Sequence, residues 1–320
     1  MNSPQSMHTI SINHFGGPEE LRLQDLPIPR LANDEILIQI AYAGVGPWDP
    51  KELHGEFEQY KSEESHFPYI LGSEGAGTVA AIGSEVKRFK VGDKVYASGF
   101  LNPKGGFYAE YAAINESLAF PLPKNLSFEQ AAVMAGVGVT ALRGLQDILN
   151  IQPGQSILIF GASGGIGHVA VQLAKQMKAK VLAVASGQDG VELAKNLGAD
   201  ESLDGHAENL VDRIKEKAPQ GVDAILFTAG GKDVNKLFVC LKPDGIAAAP
   251  NGVDIPMASV PLVKTYDGDP DEDILHRFHR MIDTGRFTIH VAKIFPLEKA
   301  AEAHQALSEH HLGKLALKIH

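Results

Sequence analysis

The spacing of apolar positions changes character along the chain. Glu35 to Tyr42 (EILIQIAY) alternates apolar and polar residues, Thr78 to Ile82 is β-compatible, and clusters of Gly, Pro and Asn break up the rest of this first stretch. That texture predicts an irregular, β-rich domain. After the turn Phe120 to Asn125 (FPLPKN), Ser127 and Gln130 stand at capping-box spacing ahead of one apolar helix, AAVMAGVGVTALRGL. From Gln155 strands and helices alternate: ILIF, a helix from Gly165, VLAVA, a helix ending at Gly198, Asp223 to Phe227, a helix from Asp233, and Gly245 to Ala249. Such alternation predicts a doubly wound parallel sheet of the α/β class. From Asp271 a helix places Ile274, Leu275, Phe278, Met281 and Ile282 on one face, and a strand (Ile289 to Phe295), a helix (Leu297 to Leu307) and a strand (Lys314 to Ile319) follow.

Within the alternating region, Gln155 to Gln176 (QSILIFGASGGIGHVAVQLAKQ) carries candidate chemistry. Aligned on GxGxxG, Ala162 takes the first position, Gly164 the second and Gly167 the third, with Ser163, an extra Gly165 and Ile166 between them. Gly164 lets the backbone approach a pyrophosphate and Gly167 lets the helix lie close on the strand. Free N–H groups of the first helical turn attract the phosphate charge. A tight turn without a ligand is the alternative, but strand and helix both stand where dinucleotide binding needs them. The next strand, Lys180 to Ala185, ends in Ser186, Gly187 and Gln188, with no carboxylate before Asp189. A small hydroxyl without an adjacent acid leaves room for a 2′-phosphate, so NADP(H) is favoured over NAD. Two alternatives stay open: Ser186 as a plain turn residue, and Asp189 turned round to hold the ribose of NAD. No Arg or Lys stands in Ser186 to Val191 to pair with a phosphate.

Composition narrows the function. The chain has 320 residues, 44% hydrophobic and 21% charged, which suggests two ordinary globular domains. Its net charge of −10 (39 acidic, 29 basic) and the absence of a basic run argue against nucleic acid or an anionic membrane as main partner. The start MNSPQSMHTI has no leader pattern, and no apolar stretch approaches a membrane span. The single cysteine, Cys240, rules out an internal disulfide or a multi-cysteine metal site and fits a reducing cytoplasm. It ends the pattern VNKLFVC, where a buried, inert thiol is expected.

The order of elements, with the segments AGVGPWDPK, PYILGSEGAGTV, VGDKVYA, GGFYAEYAAI, GASGGIG, LGAD, LKPDG, PLEKAAEAH and GKLALKI, resembles the medium-chain dehydrogenase/reductase superfamily. Within it the resemblance is to the zinc-free quinone oxidoreductases related to zeta-crystallin, over nearly the whole chain. It implies a GroES-like catalytic domain formed by residues 1–124 and 266–320, with a Rossmann dinucleotide domain at residues 125–265 inserted into it. Gly46 stands where zinc relatives have their first Cys ligand, and Ser73 replaces the His of their GHE; their four-cysteine lobe is absent. Neither Gly nor a neutral Ser offers zinc a donor, so no metal is expected. His276 and His279 lie on one helix without an evident third ligand and are expected at the surface.

Without a Lewis acid, alcohol oxidation loses its alkoxide stabiliser. A quinone or α,β-unsaturated carbonyl can accept hydride directly from NADPH, with orientation, desolvation and hydrogen bonds as the enzyme's contribution. The resemblance places Trp48, Asp49, Lys51 and Ser73 in the pocket. Trp48 is either a flat wall for a planar electrophile or a domain-interface aromatic, and Asp49 with Lys51 either a structural contact or a proton-transfer pair. Tyr60 and Phe67 flank an acidic insertion, QYKSEESH, with a lid or a solvated loop as its two readings. Further cofactor contacts implied are Thr140 beside the nicotinamide, Thr228 and Ala229 after the strand DAILF, and Ala249 to Asn251 after GIAAA. Gly190 replaces a phosphate-pairing Lys of many relatives, Gly205 the Tyr of their IDY, and Phe227 an acid of their FDTVGG. Relatives pair through the edge strand of the dinucleotide domain, which implies a homodimer through Gly245 to Val260. The rival reading is a dinucleotide-binding structural or regulatory protein with little turnover, and an alcohol dehydrogenase is disfavoured.

Overall fold

The computed structural model describes residues 6–61, 65–231, 234–255, 263–283 and 286–320. Part of the acidic insertion QYKSEESH, the start of the helix expected from Asp233, and the end of the segment Gly245 to Val260 lie outside the described residues. In chain order the elements are β1 (Ser6–Ile12), β2 (Arg22–Pro27), β3 (Glu35–Val45), α1 (Trp48–Leu53), β4 (Tyr69–Ile70), β5 (Glu74–Ile82), β6 (Lys94–Ser98), β7 (Tyr111–Asn115) and β8 (Ala119–Pro121). Helices α2 (Phe128–Ala131) and α3 (Ala135–Leu142) lead to β9 (Ser156–Phe160), α4 (Gly165–Gln176), β10 (Lys180–Ala185), α5 (Gly187–Asn196), β11 (Glu201–Asp204) and α6 (Leu210–Lys217). Then come β12 (Val222–Phe227), β13 (Leu241–Pro250), β14 (Val263–Tyr266), α7 (Glu272–Asp283), β15 (Val291–Pro296), α8 (Ala300–Ala306) and β16 (Lys314–Lys318).

These elements form two compact units: residues up to Gly136 with Pro270–Leu275 and Thr288–His320, and Val137–Asp269 with His276–Phe287. In the first, β3 is the spine of a seven-stranded sheet, pairing with β16, β5 and β7. Its alternation puts Ile36, Ile38 and Ile40 into the core with no exposure. At the crossing of β5 on β3, a Cβ on Gly77 would sit 1.9 Å from the Gln39 carbonyl oxygen, so only glycine fits. A second, three-stranded sheet has the order β2-β1-β4. FPLPKN is less turn-like than its prolines suggest, because Ala119–Pro121 pairs with β6 as β8.

The apolar helix expected after Ser127 is interrupted. Its capping box forms, with Gln130 Oε1 accepting the Ser127 N–H at 3.2 Å, but α2 stops at Ala131 and α3 starts afresh at Ala135. The Glu74 carboxylate causes the restart by accepting the Gly136 N–H at 2.8 Å, in the manner of a helix N-cap supplied from another strand.

The second unit holds six parallel strands in the order β11-β10-β9-β12-β13-β14. The chain begins at the centre and runs outward both ways, creating a switch point between β9 and β12 where ligands bind in such sheets. Leu158, Ile225 and Phe227 anchor its core. The edge strand is β14, not the Gly245 segment, since β13 is paired on both sides by β12 and β14. On α7, Ile274, Leu275, Phe278 and Ile282 are fully buried, whereas Met281 is half-buried beside Gln146. His276 and His279 are half-buried too, rather than solvated. Cys240 is buried at the end of a 3-10 turn, and burial raises its thiol pKa. Among the described residues no helix is long and apolar enough to cross a membrane.

Candidate functional site

In the second unit the strand–turn–helix brings together most of the expected nucleotide contacts. Gly161 turns the chain at φ +84°, and its N–H and that of Ala162 both donate to Val184 O at 2.9 Å. The tight turn thus belongs to Gly161, one residue before the motif position assigned to Ala162. Its Cβ would meet Thr228 and Ala229, which places the ends of β9 and β12 in contact at the switch point. Thr228 is pinned there by N–H and hydroxyl bonds to Phe160 O, both 2.8 Å.

The two motif glycines have different jobs. A Cβ on Gly167 would stand 2.0 Å from Gly161 O, so this residue is needed for the fold. A Cβ on Gly164 would meet only Gly161 O, at 3.5 Å, leaving space on its outer side. Gly164 is the N-cap of α4 without a side-chain cap, and the first helical bond from outside is His168 N–H to Gly164 O. The N–H groups of Gly165, Ile166 and Gly167 thus precede the helical ladder and stand at its positive end. Open space beside such donors fits a pyrophosphate.

Ser163, buried, accepts the Ser186 N–H on its Oγ at 3.3 Å. A Cβ on Gly190 would lie 2.8 Å from that same Oγ, which explains why the Lys of many relatives has no room here. Asn251 and Thr140 meet through Tyr266: its C=O accepts the Asn251 N–H at 2.8 Å and its hydroxyl donates to Thr140 O at 3.0 Å. Ala249 is fully buried in β13.

The first unit places Trp48, Asp49 and Ser73 together, and Lys51 apart. Asp49 is fully buried in α1; its Oδ2 accepts the Gly46 N–H at 2.6 Å and its Oδ1 the Ser73 hydroxyl at 3.3 Å. The Tyr108 hydroxyl bonds to it as well, and also lies 3.1 Å from His304 Nε2. Burial pushes the Asp49 pKa up to about 8, against the lowering by the Gly46 bond. Nearby Glu52, buried and bonded to the Tyr69 hydroxyl, is raised by the same cause. Burial lowers the His304 pKa to about 4. At neutral pH, therefore, Asp49 is a neutral acid and His304 a neutral imidazole, both able to donate a hydrogen bond.

Lys51 is half-buried, and among the described residues no hydrogen bond or ion pair links its ammonium to Asp49. The cation in this cluster is Lys314. Its Nζ lies 3.1 Å from Glu74 Oε1 and 4.4 Å from the centre of the Trp48 ring, with both charged side chains buried. Trp48 is therefore not a bare apolar wall, since an ammonium covers one face. Its other neighbours are small: a Cβ on Gly46 or Gly136 would meet the ring at 2.5 or 3.3 Å. Tyr60 is 70% exposed, while Phe67 packs edge-on against Phe15.

Zinc does not fit this cluster. Gly46 brings no donor side chain, its N–H points at Asp49, and the Ser73 hydroxyl is committed to the same carboxyl. Sequence reasoning missed Gly161, Glu74, Tyr108, His304 and Lys314. All five stand inside the segments GASGGIG, PYILGSEGAGTV, GGFYAEYAAI, PLEKAAEAH and GKLALKI, which signalled a family but not a contact.

Known proteins agree with this architecture. The family model described as "Alcohol dehydrogenase GroES-like domain" matches residues 32–124, and "Zinc-binding dehydrogenase" matches residues 165–253. These define a dehydrogenase of the medium-chain class. Quinone oxidoreductase of Rattus norvegicus is 31% identical, covering 98% of this chain and 98% of that protein. The chloroplastic NADPH-dependent alkenal/one oxidoreductase of Arabidopsis thaliana is 32% identical over 98% of this chain and 80% of its own. A crystal structure of an NAD-dependent alcohol dehydrogenase superposes with a TM-score of 0.86 at 27% identity, covering 98% and 100% of the two chains. The chain belongs to the quinone oxidoreductase family of the medium-chain dehydrogenase/reductase superfamily.

Proposed function

We propose that this chain is an NADPH-dependent reductase of quinones and α,β-unsaturated carbonyls that works without zinc. One observation carries the reading: where zinc relatives hold a metal, the Gly46 N–H and the Ser73 hydroxyl instead both donate to the buried Asp49 carboxyl. Bound NADPH would supply the hydride. With the Ser73 hydroxyl donated to the buried Asp49, the chain contributes orientation and the exclusion of competing water, and solvent can protonate the reduced acceptor. Trp48 offers a planar surface held in place by Lys314. Nothing in this set stabilises a free alkoxide, which disfavours alcohol oxidation. The names of the rat and Arabidopsis relatives support the substrate class, and the absence of a carboxylate at Ser186 to Gln188 supports NADP over NAD.

The test is NADPH oxidation against quinones, enones and, in reverse, simple alcohols, before and after exhaustive chelation. Turnover of the first two classes that survives chelation is expected. No turnover with any acceptor would favour a binding protein, and loss on chelation with recovery on adding zinc would return the chain to alcohol chemistry. We further propose a cytoplasmic homodimer whose sheets run on through β14, the edge strand of the parallel sheet. Light scattering that gives a monomer at micromolar concentration would count against the dimer.

A further inference from the structure

The end of β10 carries a side-chain pair that no motif accounts for. Ser186 Oγ lies 2.9 Å from His206 Nε2, and His206 is exposed just beyond β11. Ser186 is the N-cap of α5, and the next residue, Gly187, has φ +74°. Two acids of this corner each hold one carboxylate oxygen on backbone N–H groups. Asp204 Oδ1 accepts the N–H groups of Gly187 (3.2 Å) and His206 (3.0 Å), bonds that hold its pKa down, and Arg213 adds a positive charge nearby. Asp189 Oδ1 accepts the Gly190 N–H at 2.9 Å.

The ribose of a dinucleotide held at the α4 turn reaches the end of the second strand, where an acid selects the 2′-OH and a cation the 2′-phosphate. No Lys or Arg stands in Ser186 to Val191, Gly190 has no room for a side chain, and Gly205 brings none; Arg213 lies near Asp204. A hydroxyl and an imidazole, bonded to each other at the surface, remain.

We propose that Ser186 and His206 together form the receptor for the 2′-phosphate, so that a histidine in place of the usual cation decides the choice of cofactor. On phosphate binding the Ser186–His206 bond opens, and both groups donate to phosphate oxygens. The inference rests on the NADPH reading above. His206→Ala is a mild variant, because the ring is exposed and its backbone N–H bond to Asp204 survives.

The experiment is calorimetric titration of the full chain and of His206→Ala with 2′,5′-ADP and 5′-ADP, and by fluorescence with NADPH and NADH. The parent should hold 2′,5′-ADP at least ~10-fold more tightly than 5′-ADP, the worth of one charge-assisted hydrogen bond. His206→Ala should lose most of that preference with 5′-ADP and NADH affinities unchanged, and His206→Arg should restore it. A parent that prefers 2′,5′-ADP, with His206→Ala preferring it equally, overturns this inference and leaves the NADPH reading standing. A parent with no preference overturns both. Equal loss of all four ligands in His206→Ala would mark a structural role and also overturn it.

Discussion

Asp49→Asn should stabilise the protein at neutral and alkaline pH, because the parent carries a buried carboxyl to which no cation is bonded among the described residues. Burial holds the folded pKa near 8, against 3.8 for the free side chain. In linkage terms the folded state binds more protons than the unfolded one between these values. The contribution of Asp49 to stability is therefore complete below pH 3.8 and is lost as pH rises towards 8. At pH 7 the unfolded carboxyl is ionised and the folded one is not, a gap of roughly three pH units, or about 4 kcal/mol. A shift half as large would still be worth about 3 kcal/mol.

Asparagine removes this linkage and keeps the hydrogen bonds, since its carbonyl accepts the Gly46 N–H and its NH₂ donates to Ser73 Oγ. The assay is urea unfolding followed by the fluorescence of Trp48, the single tryptophan, which reports on the first unit. The stability gap between variant and parent should widen by about 4 kcal/mol from pH 5 to pH 8. His304, with its pKa lowered to about 4, contributes the opposite slope as pH falls below its ordinary value, but it is present in both proteins and cancels. Curves that run parallel across this range would refute the reasoning.

The two motif glycines separate folding from binding: Gly167→Ala should cost several kcal/mol by forcing α4 off Gly161 O, whereas Gly164→Val should fold and lose cofactor affinity. Thermal melts and fluorescence titration of both variants check this, and a well-bound cofactor in Gly164→Val would mean that the pyrophosphate lies elsewhere. Lys51→Ala should lower kcat by far less than the ~10²–10⁴-fold typical of a lost general acid, since among the described residues no hydrogen bond or ion pair points its ammonium at a proton path. Trp48→Ala should raise KM more than it lowers kcat, because it removes a surface rather than a proton donor; steady-state kinetics with one quinone distinguishes the two patterns.

What could be read from the sequence was local. A parallel sheet announces itself through strands and helices alternating along the chain, and the glycine turn works through neighbours a few residues away. The break between α2 and α3 was illegible because its cause is Glu74, 62 residues from Gly136. Tyr108 and His304 meet across 196 residues, a contact that spacing could not reveal. The D-x-K match came from the resemblance and named no partner: residues two apart on a helix do not face each other, and the partners of buried Asp49 are Gly46 and Ser73. The edge strand β14 followed a stretch whose prolines disguised it.

The poor fit of this corner for zinc lies in its packing as well as in the missing donor side chains. A Cβ on Gly46 would stand 2.5 Å from the Trp48 ring, so a cysteine there and this placement of the tryptophan exclude each other. The ring in turn lies under the Lys314 ammonium, which is paired with Glu74, and Glu74 starts α3. Moving Trp48 aside for a zinc ligand would expose the face of a buried ion pair and loosen the acceptor that sets the helix. Asp49 then completes the exchange: with Gly46 and Ser73 as its donors, it takes up the corner as an uncharged acid. A corner arranged this way leaves a flat ring for a planar acceptor, and reverting one ligand position would break the arrangement before it recovered a metal.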